Sequence, residues 1–113
     1  MNKKEPSMVD HLSWLQTYFA DNCNGEWEHD YGVEITTTDN PGWSVTIDVA
    51  GTDHEDMVVE LLKIERSESD WLIFGRDDKA IFGRGGRDNL GEVLAHLRTI
   101  MAAADEERAR RAR

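Results

Sequence analysis

Two stretches of the chain repeat their apolar residues at helical spacing, and between them the pattern changes to the alternation of strands. Met8, Leu12, Leu15 and Phe19 recur every three or four positions, and Trp14 with Tyr18 widens that stripe, so a helix with a broad buried face is predicted over about 8–21. Ser7, with Asp10 three residues on, has the spacing of a capping box, and Asn22 with the Cys-Asn-Gly after it ends the helix. His11 projects between Leu15 and Tyr18, a position for a packed, hydrogen-bonded histidine rather than a ligand. Val33 and Ile35 then alternate with Glu34, Thr36 and Thr38, and Trp43, Val45, Ile47 and Val49 alternate with Ser44, Thr46 and Asp48. Two half-buried strands follow from that period of two. Asn40, Pro41 and Gly42 join them, proline fixing one dihedral and glycine taking the positive one that a type II turn requires.

A third strand is predicted over roughly 57–67, where the apolar phase shifts from Val59 and Leu61 to Leu62 and Ile64, the mark of a bulge or a break. A helix up to Leu62 satisfies the same residues. The apolar run 71–74, the polar Asp77, Asp78 and Lys79, and the shorter run 80–82 make a second hairpin. A second helix starts at Asn89, with Glu92 at the capping-box position, and carries Leu90, Val93, Leu94, Leu97, Ile100, Met101 and Ala104 on its apolar side. Residues 105–113 hold nothing apolar larger than alanine and mix three acids with four arginines, so they are predicted to fray, as is the polar start 1–6. The sum is one α+β domain over 1–113, with an ordered core at about 7–104 and a four- to five-stranded antiparallel sheet. Its N-terminal and C-terminal helices pack on one sheet face. The other face then carries Thr36, Thr38, Ser44, Thr46 and Asp48, a polar and acidic surface open to docking.

Composition sharpens the functional side. The 113 residues are 39% hydrophobic and 32% charged, with four tryptophans, which fits one folded domain and not a disordered chain. The net charge is -10, and residues 21–78 concentrate it, with 16 Asp and Glu against Lys63, Arg66 and Arg76. Such a field repels nucleic acid and anionic membranes and draws basic partners, although acidity also serves solubility alone. A lone Cys23 forms no internal disulfide and reads as an ordinary thiol. No apolar run is long enough for a signal peptide or a membrane span, so a cytoplasmic location is expected.

The segment 22–43 packs Trp27, Tyr31, Trp43 and five carboxylates into a turn-rich stretch. Rings that fill pockets and acids that steer a basic partner are what an interface needs, though each ring taken singly also suits the core of a small sheet. Other chemistry is weaker. His11, His29, His54 and His96, with Asp30, Asp53, Glu55 and Asp56, show no metal-ligand spacing, and a site would need distant loops to meet. Residues 83–86 lie between a strand and a helix, where backbone amides can hold a phosphate. They lack the lysine and hydroxyl of a P-loop, which favours a flexible connection. Paired acids such as Glu26 and Glu28 are too common in so acidic a chain to mark catalysis.

Taken together, the tryptophan-bearing first helix, CNGEWEHDYGVEI, DNPGWSVTIDV, IERSESDW and GRGGRDNLGEVL resemble the immunity protein 53 family of bacterial polymorphic-toxin systems. The resemblance runs from Leu12 to about Leu97 and leaves the arginine-rich end, 108–113, unmatched. It implies a cytoplasmic antidote that binds a cognate protein toxin, with no catalytic residues and no cofactor to carry over. On that reading Glu26, Trp27, Glu28, Asp30 and Tyr31, with Asp39 and Trp43 behind them, face a basic toxin site, the acids steering and the rings anchoring. Two other readings remain open at this point. One is a small metal-binding protein or enzyme using His29, Asp30 and His54, and the other is a non-enzymatic adaptor docking through the open sheet face.

Overall fold

The computed structural model describes residues 6–112; the start of the predicted N-terminal tail and Arg113 lie outside the described residues. Helix α1 spans Met8–Asn22, and Ser7 and Asp10 form the reciprocal capping box that the sequence predicts, with Asp10 Oδ2 accepting from Ser7 N at 2.9 Å. A short helix α2, Trp27–Asp30, leads into β1, Val33–Thr38, and β2, Gly42–Asp48. After a long loop come β3, Leu62–Glu65, β4, Trp71–Arg76, and β5, Ala80–Gly86, and the chain ends in α3, Leu90–Arg111. The five strands form one antiparallel sheet in the order β1-β2-β5-β4-β3.

Cross-strand register decides which side chains share a face. Ile47 stands opposite Ile81, Val45 opposite Gly83, and Gly83 opposite Phe74, and these positions are sealed by both helices. Val45, Ile47, Ile81, Phe74, Val93, Leu94 and Leu97 are fully buried, and Leu15 and Tyr18 from α1 close the same core. Helices on one face and water on the other is the expected α+β arrangement, because alternate residues of each strand point to opposite sides.

Several local expectations change. The β1–β2 hairpin turns through Asp39, Asn40 and Pro41, and Gly42 is the first residue of β2 without a positive φ, so no type II turn forms. Glycine is required there for a different reason: a Cβ on Gly42 would collide with the carbonyl oxygen of Gly85 on the neighbouring strand. The third strand is shorter than predicted and starts where the apolar phase breaks, at Leu62. Residues 83–86 are neither a flexible connection nor a phosphate loop but the second half of β5. A Cβ on Gly83 would stand 2.9 Å from both Phe74 and Val93, so the bare backbone lets α3 and β4 close over it.

At the start of α3, Asn89 makes no side-chain cap, contrary to the predicted capping box. It is itself buried, and its Oδ1 accepts from Gly86 N and Trp71 N while its Nδ2 donates to Asp70 and Glu92. At the other end α3 continues to Arg111, where fraying is predicted from composition. Ion pairs one turn apart, Asp105 with Arg108 and Glu107 with Arg110 and Arg111, line that exposed end. His54 Nε2, 2.7 Å from Asp105 Oδ1, and Arg108, donating to Asp53 O, tie it to the long loop.

Candidate protein-binding surface

The residues that the sequence singles out divide into two groups at opposite ends of the sheet. Asn24 starts the first group: its Oδ1 accepts from Glu26 N and Trp27 N, and that asparagine turn launches α2. Glu28 closes the turn from the other side, accepting from Asn24 N and Gly25 N. Hydrogen bonds from its own backbone N–H, then from Asn24 and Gly25, hold its carboxyl below the ordinary glutamate range. A lowered pKa means that the turn keeps this support above the ordinary range and loses it as pH falls through the shifted value. Protection of the Asn24 and Gly25 amides against hydrogen exchange is therefore expected to drop at acid pH, and to be absent at all pH values in Glu28→Gln if the charge is what matters.

Trp27 is a correction to the sequence reading. Its side chain is 6% exposed, its indole N–H donates to Ala50 O at 2.9 Å, and its ring stacks on Tyr31 at 6.2 Å and meets Tyr18 edge-on. An indole with a satisfied N–H inside an aromatic cluster belongs to the core, and the apolar area it removes from water explains why. Tyr31 is half-buried on top of it, while Glu26 and Asp30 point to solvent. Trp43 and Asp39 lie elsewhere. Trp43 lies six positions along the chain from Val49 beside Ala50, roughly 20 Å at about 3.3 Å per residue. There Trp43 is half-buried and donates to Arg87 O at 2.9 Å.

What the structure adds to the first group is its neighbours, which no sequence spacing signals. Trp27 holds Ala50 and with it the loop after β2, Val49 N donates to Lys79 O in the β4–β5 turn, and Arg76 binds the carbonyls of Glu55, Met57, Asp77 and Asp78. Three loops far apart in sequence thus meet at one end of the sheet. Glu26, Asp30, Asp53, Glu55, Asp56, Asp77 and Asp78 all stand exposed there. Arg76 lies below them with its donors committed to carbonyls, which leaves Lys79 as the exposed cation of that turn. Five of the seven acids come from residues 21–62, a stretch with neither lysine nor arginine, and Arg108 of α3 reaches this end to donate to Asp53 O.

Beside the pole, the loop 53–62 and the second half of α3 enclose a groove of about 780 Å³ over Met57, Phe74, His96 and Ile100. His96 lies tilted against Phe74 with ring centres 4.2 Å apart, and burial lowers its pKa. Val58, 86% exposed, and Leu61 stand on the rim. The open sheet face is less uniformly polar than expected. Thr36, Ser44 and Thr46 share it, as predicted, but register adds Trp71, Ile73 and Phe82, with the Arg84 guanidinium 4.5 Å from the Phe82 ring centre.

His29, Asp30 and His54 do not assemble as a ligand set. Among the described residues no group of three or more His, Cys, Asp or Glu is placed to hold a metal ion, and His54 is paired with Asp105 instead. Cys23 is exposed, and partial desolvation by neighbouring atoms together with the nearby Glu28 charge raises its pKa, the reverse of an activated thiol. No helix among the described residues is long and apolar enough to cross a membrane.

Fold and surface together define a small α+β protein with two helices on one face of a five-stranded sheet, a mixed polar and aromatic open face, and an acidic end. The chain belongs to the immunity protein 53 family, whose profile matches residues 12–102. The match includes every strand, the acidic pole and most of α3, and stops before the arginine-rich end. No curated protein and no solved structure matches the chain.

Proposed function

We propose that this chain is a non-catalytic immunity protein that binds its cognate toxin domain and closes the toxin's working site by steric blockade, presenting the acidic pole to a basic surface. The observation that carries this reading is the convergence of seven exposed carboxylates from three loops at one end of a chain of this family. Acids held on a rigid frame raise the rate of encounter with a basic partner and disfavour partners of like charge. Toxins that act on nucleic acid need a basic cleft, and such a cleft is the complement of this pole. Cytoplasmic residence follows from the same reading, since the antidote must meet toxin inside the cell that makes it.

Co-expression with the product of the adjacent gene tests the function directly: a co-purifying complex and restored growth are expected, and growth arrest despite soluble antidote would refute it. The placement of the surface has its own test. Glu26→Lys with Asp30→Lys spares Glu28, whose carboxylate the turn requires, and is expected to slow association roughly tenfold at low ionic strength, with the difference shrinking as salt rises. An association rate equal to that of the unmodified chain in low salt would remove these two acids from the interface.

A further inference from the structure

A sheet has two edges, and among the described residues only one of them is guarded. Strand β3 at one edge is four residues long, carries Lys63, and is followed by Arg66, which is tied to Asp70 and Glu92; short length and lysine are common ways of blocking strand addition. Strand β1 at the other edge is six residues, VEITTT, with no proline, no lysine and an unbroken register from Val33 opposite Ile47 to Thr38 opposite Gly42. Four of its residues are exposed, Ile35 among them at 37%.

The direction of its free backbone groups follows from one hydrogen bond. Asp48 N donates to Gly32 O, which makes Gly32 and Asp48 a hydrogen-bonded pair. In an antiparallel ladder such pairs alternate with non-bonded ones, so Glu34 and Thr36 bond inward to β2, and Val33, Ile35 and Thr37 turn their N–H and C=O outward. Charge selects what can use them. Asp30 precedes the strand, Glu34 lies on it and Asp39 follows it, in a stretch of chain without a cation. Antiparallel pairing with a second copy would set the Asp30 end of one edge against the Asp39 end of the other, which like charges oppose.

We propose that β1 is where the toxin docks: an extended, lysine- or arginine-bearing segment of the toxin adds to this edge as a sixth strand, bonding to Val33, Ile35 and Thr37 and placing a cation opposite Glu34. Strand addition draws affinity from main-chain bonds and specificity from alternate side chains, which suits an edge flanked by acids. The inference rests on the toxin-binding reading above and gives it a mode.

Hydrogen exchange on the unmodified chain tests it, with the adjacent-gene toxin domain carrying an inactivating substitution as the probe. The amides of Val33, Ile35 and Thr37 are expected to exchange quickly in the free protein and at least tenfold more slowly in the complex, while those of Glu34 and Thr36 stay protected in both. Ile35→Pro removes an outward N–H without touching a bond to β2, and is expected to weaken binding at least tenfold, whereas Ile35→Val leaves it within about twofold. A complex that forms without slowing the three outward amides overturns the edge while leaving the function standing; absence of any complex overturns the function itself. A dimer of the chain alone, seen by sedimentation with the same three amides protected, would assign the edge to a second copy and also refute the proposal.

Discussion

Trp27→Ala is expected to destabilise the protein by about 3–5 kcal/mol, the range for removing a large buried aromatic. The indole is 6% exposed, touches Tyr18, Phe19 and Tyr31, and holds Ala50 O through its N–H, so its loss leaves both a cavity and an unpaired carbonyl. Trp43→Ala, at a half-buried site on the other end of β2, is expected to cost less, about 1–3 kcal/mol. Denaturant midpoints with unchanged slopes would measure both, and equal midpoints would contradict the assignment of Trp27 to the core. Trp27→Phe separates packing from contact. It keeps most of the ring, so folded protein should bind its toxin normally, and a binding loss beyond tenfold in a folded variant would return Trp27 to the interface.

Asn89→Ala is the second large effect, expected at roughly 3 kcal/mol because it strands two backbone donors, Gly86 N and Trp71 N, each costing about 1–3 kcal/mol when unpaired and buried. Asn89→Asp keeps the acceptor but places a carboxylate where an amide now donates to Asp70 and Glu92. Repulsion among three acids should raise the pKa of the group and make the variant's deficit pH-dependent. A raised folded pKa means stability present at low pH and lost as pH climbs through it, so the deficit against the unmodified chain should narrow on acidification. A deficit that does not change between pH 7 and pH 4 would argue that Asn89 acts by shape alone.

Much of this architecture was legible in the sequence because periodicity reports burial directly. Helix α1 with its capping box, both hairpins and the apolar face of α3 follow from residues three, four or two apart, although Met8 and Leu12 of the α1 stripe are exposed and its buried residues are His11, Leu15 and Tyr18. The failures have local causes. Gly83 reads as a loop signal when no neighbour is visible, whereas Phe74 and Val93, nine and ten residues away, are what require it. Asn89 has the spacing of a cap, yet a strand backbone offers its side chain better-buried donors. The end of α3 looks too polar to stay ordered, and its ties to His54 and Asp53 cross more than fifty residues. For the surface, the sequence identifies Glu26 and Asp30 and the excess of acid, but joins them to Asp39 and Trp43 along the chain. The fold sets those apart and supplies Asp53, Asp56, Asp77 and Asp78 in their place, a regrouping that depends on strand order, which no local pattern carries.

The acids of the pole sit on loop backbones anchored from beneath by Trp27, Arg76 and the hydrogen-bonded turns. Replacing Glu26, Asp30, Asp53 or Asp78 removes no packing, and substitutions at such exposed positions usually change stability by less than about 0.5 kcal/mol. Mutation can therefore rewrite the outward pattern of charge while the frame beneath tolerates almost nothing. A lineage carrying this fold has a route to follow a toxin that changes its own surface, one exposed residue at a time, without passing through an unfolded intermediate sequence.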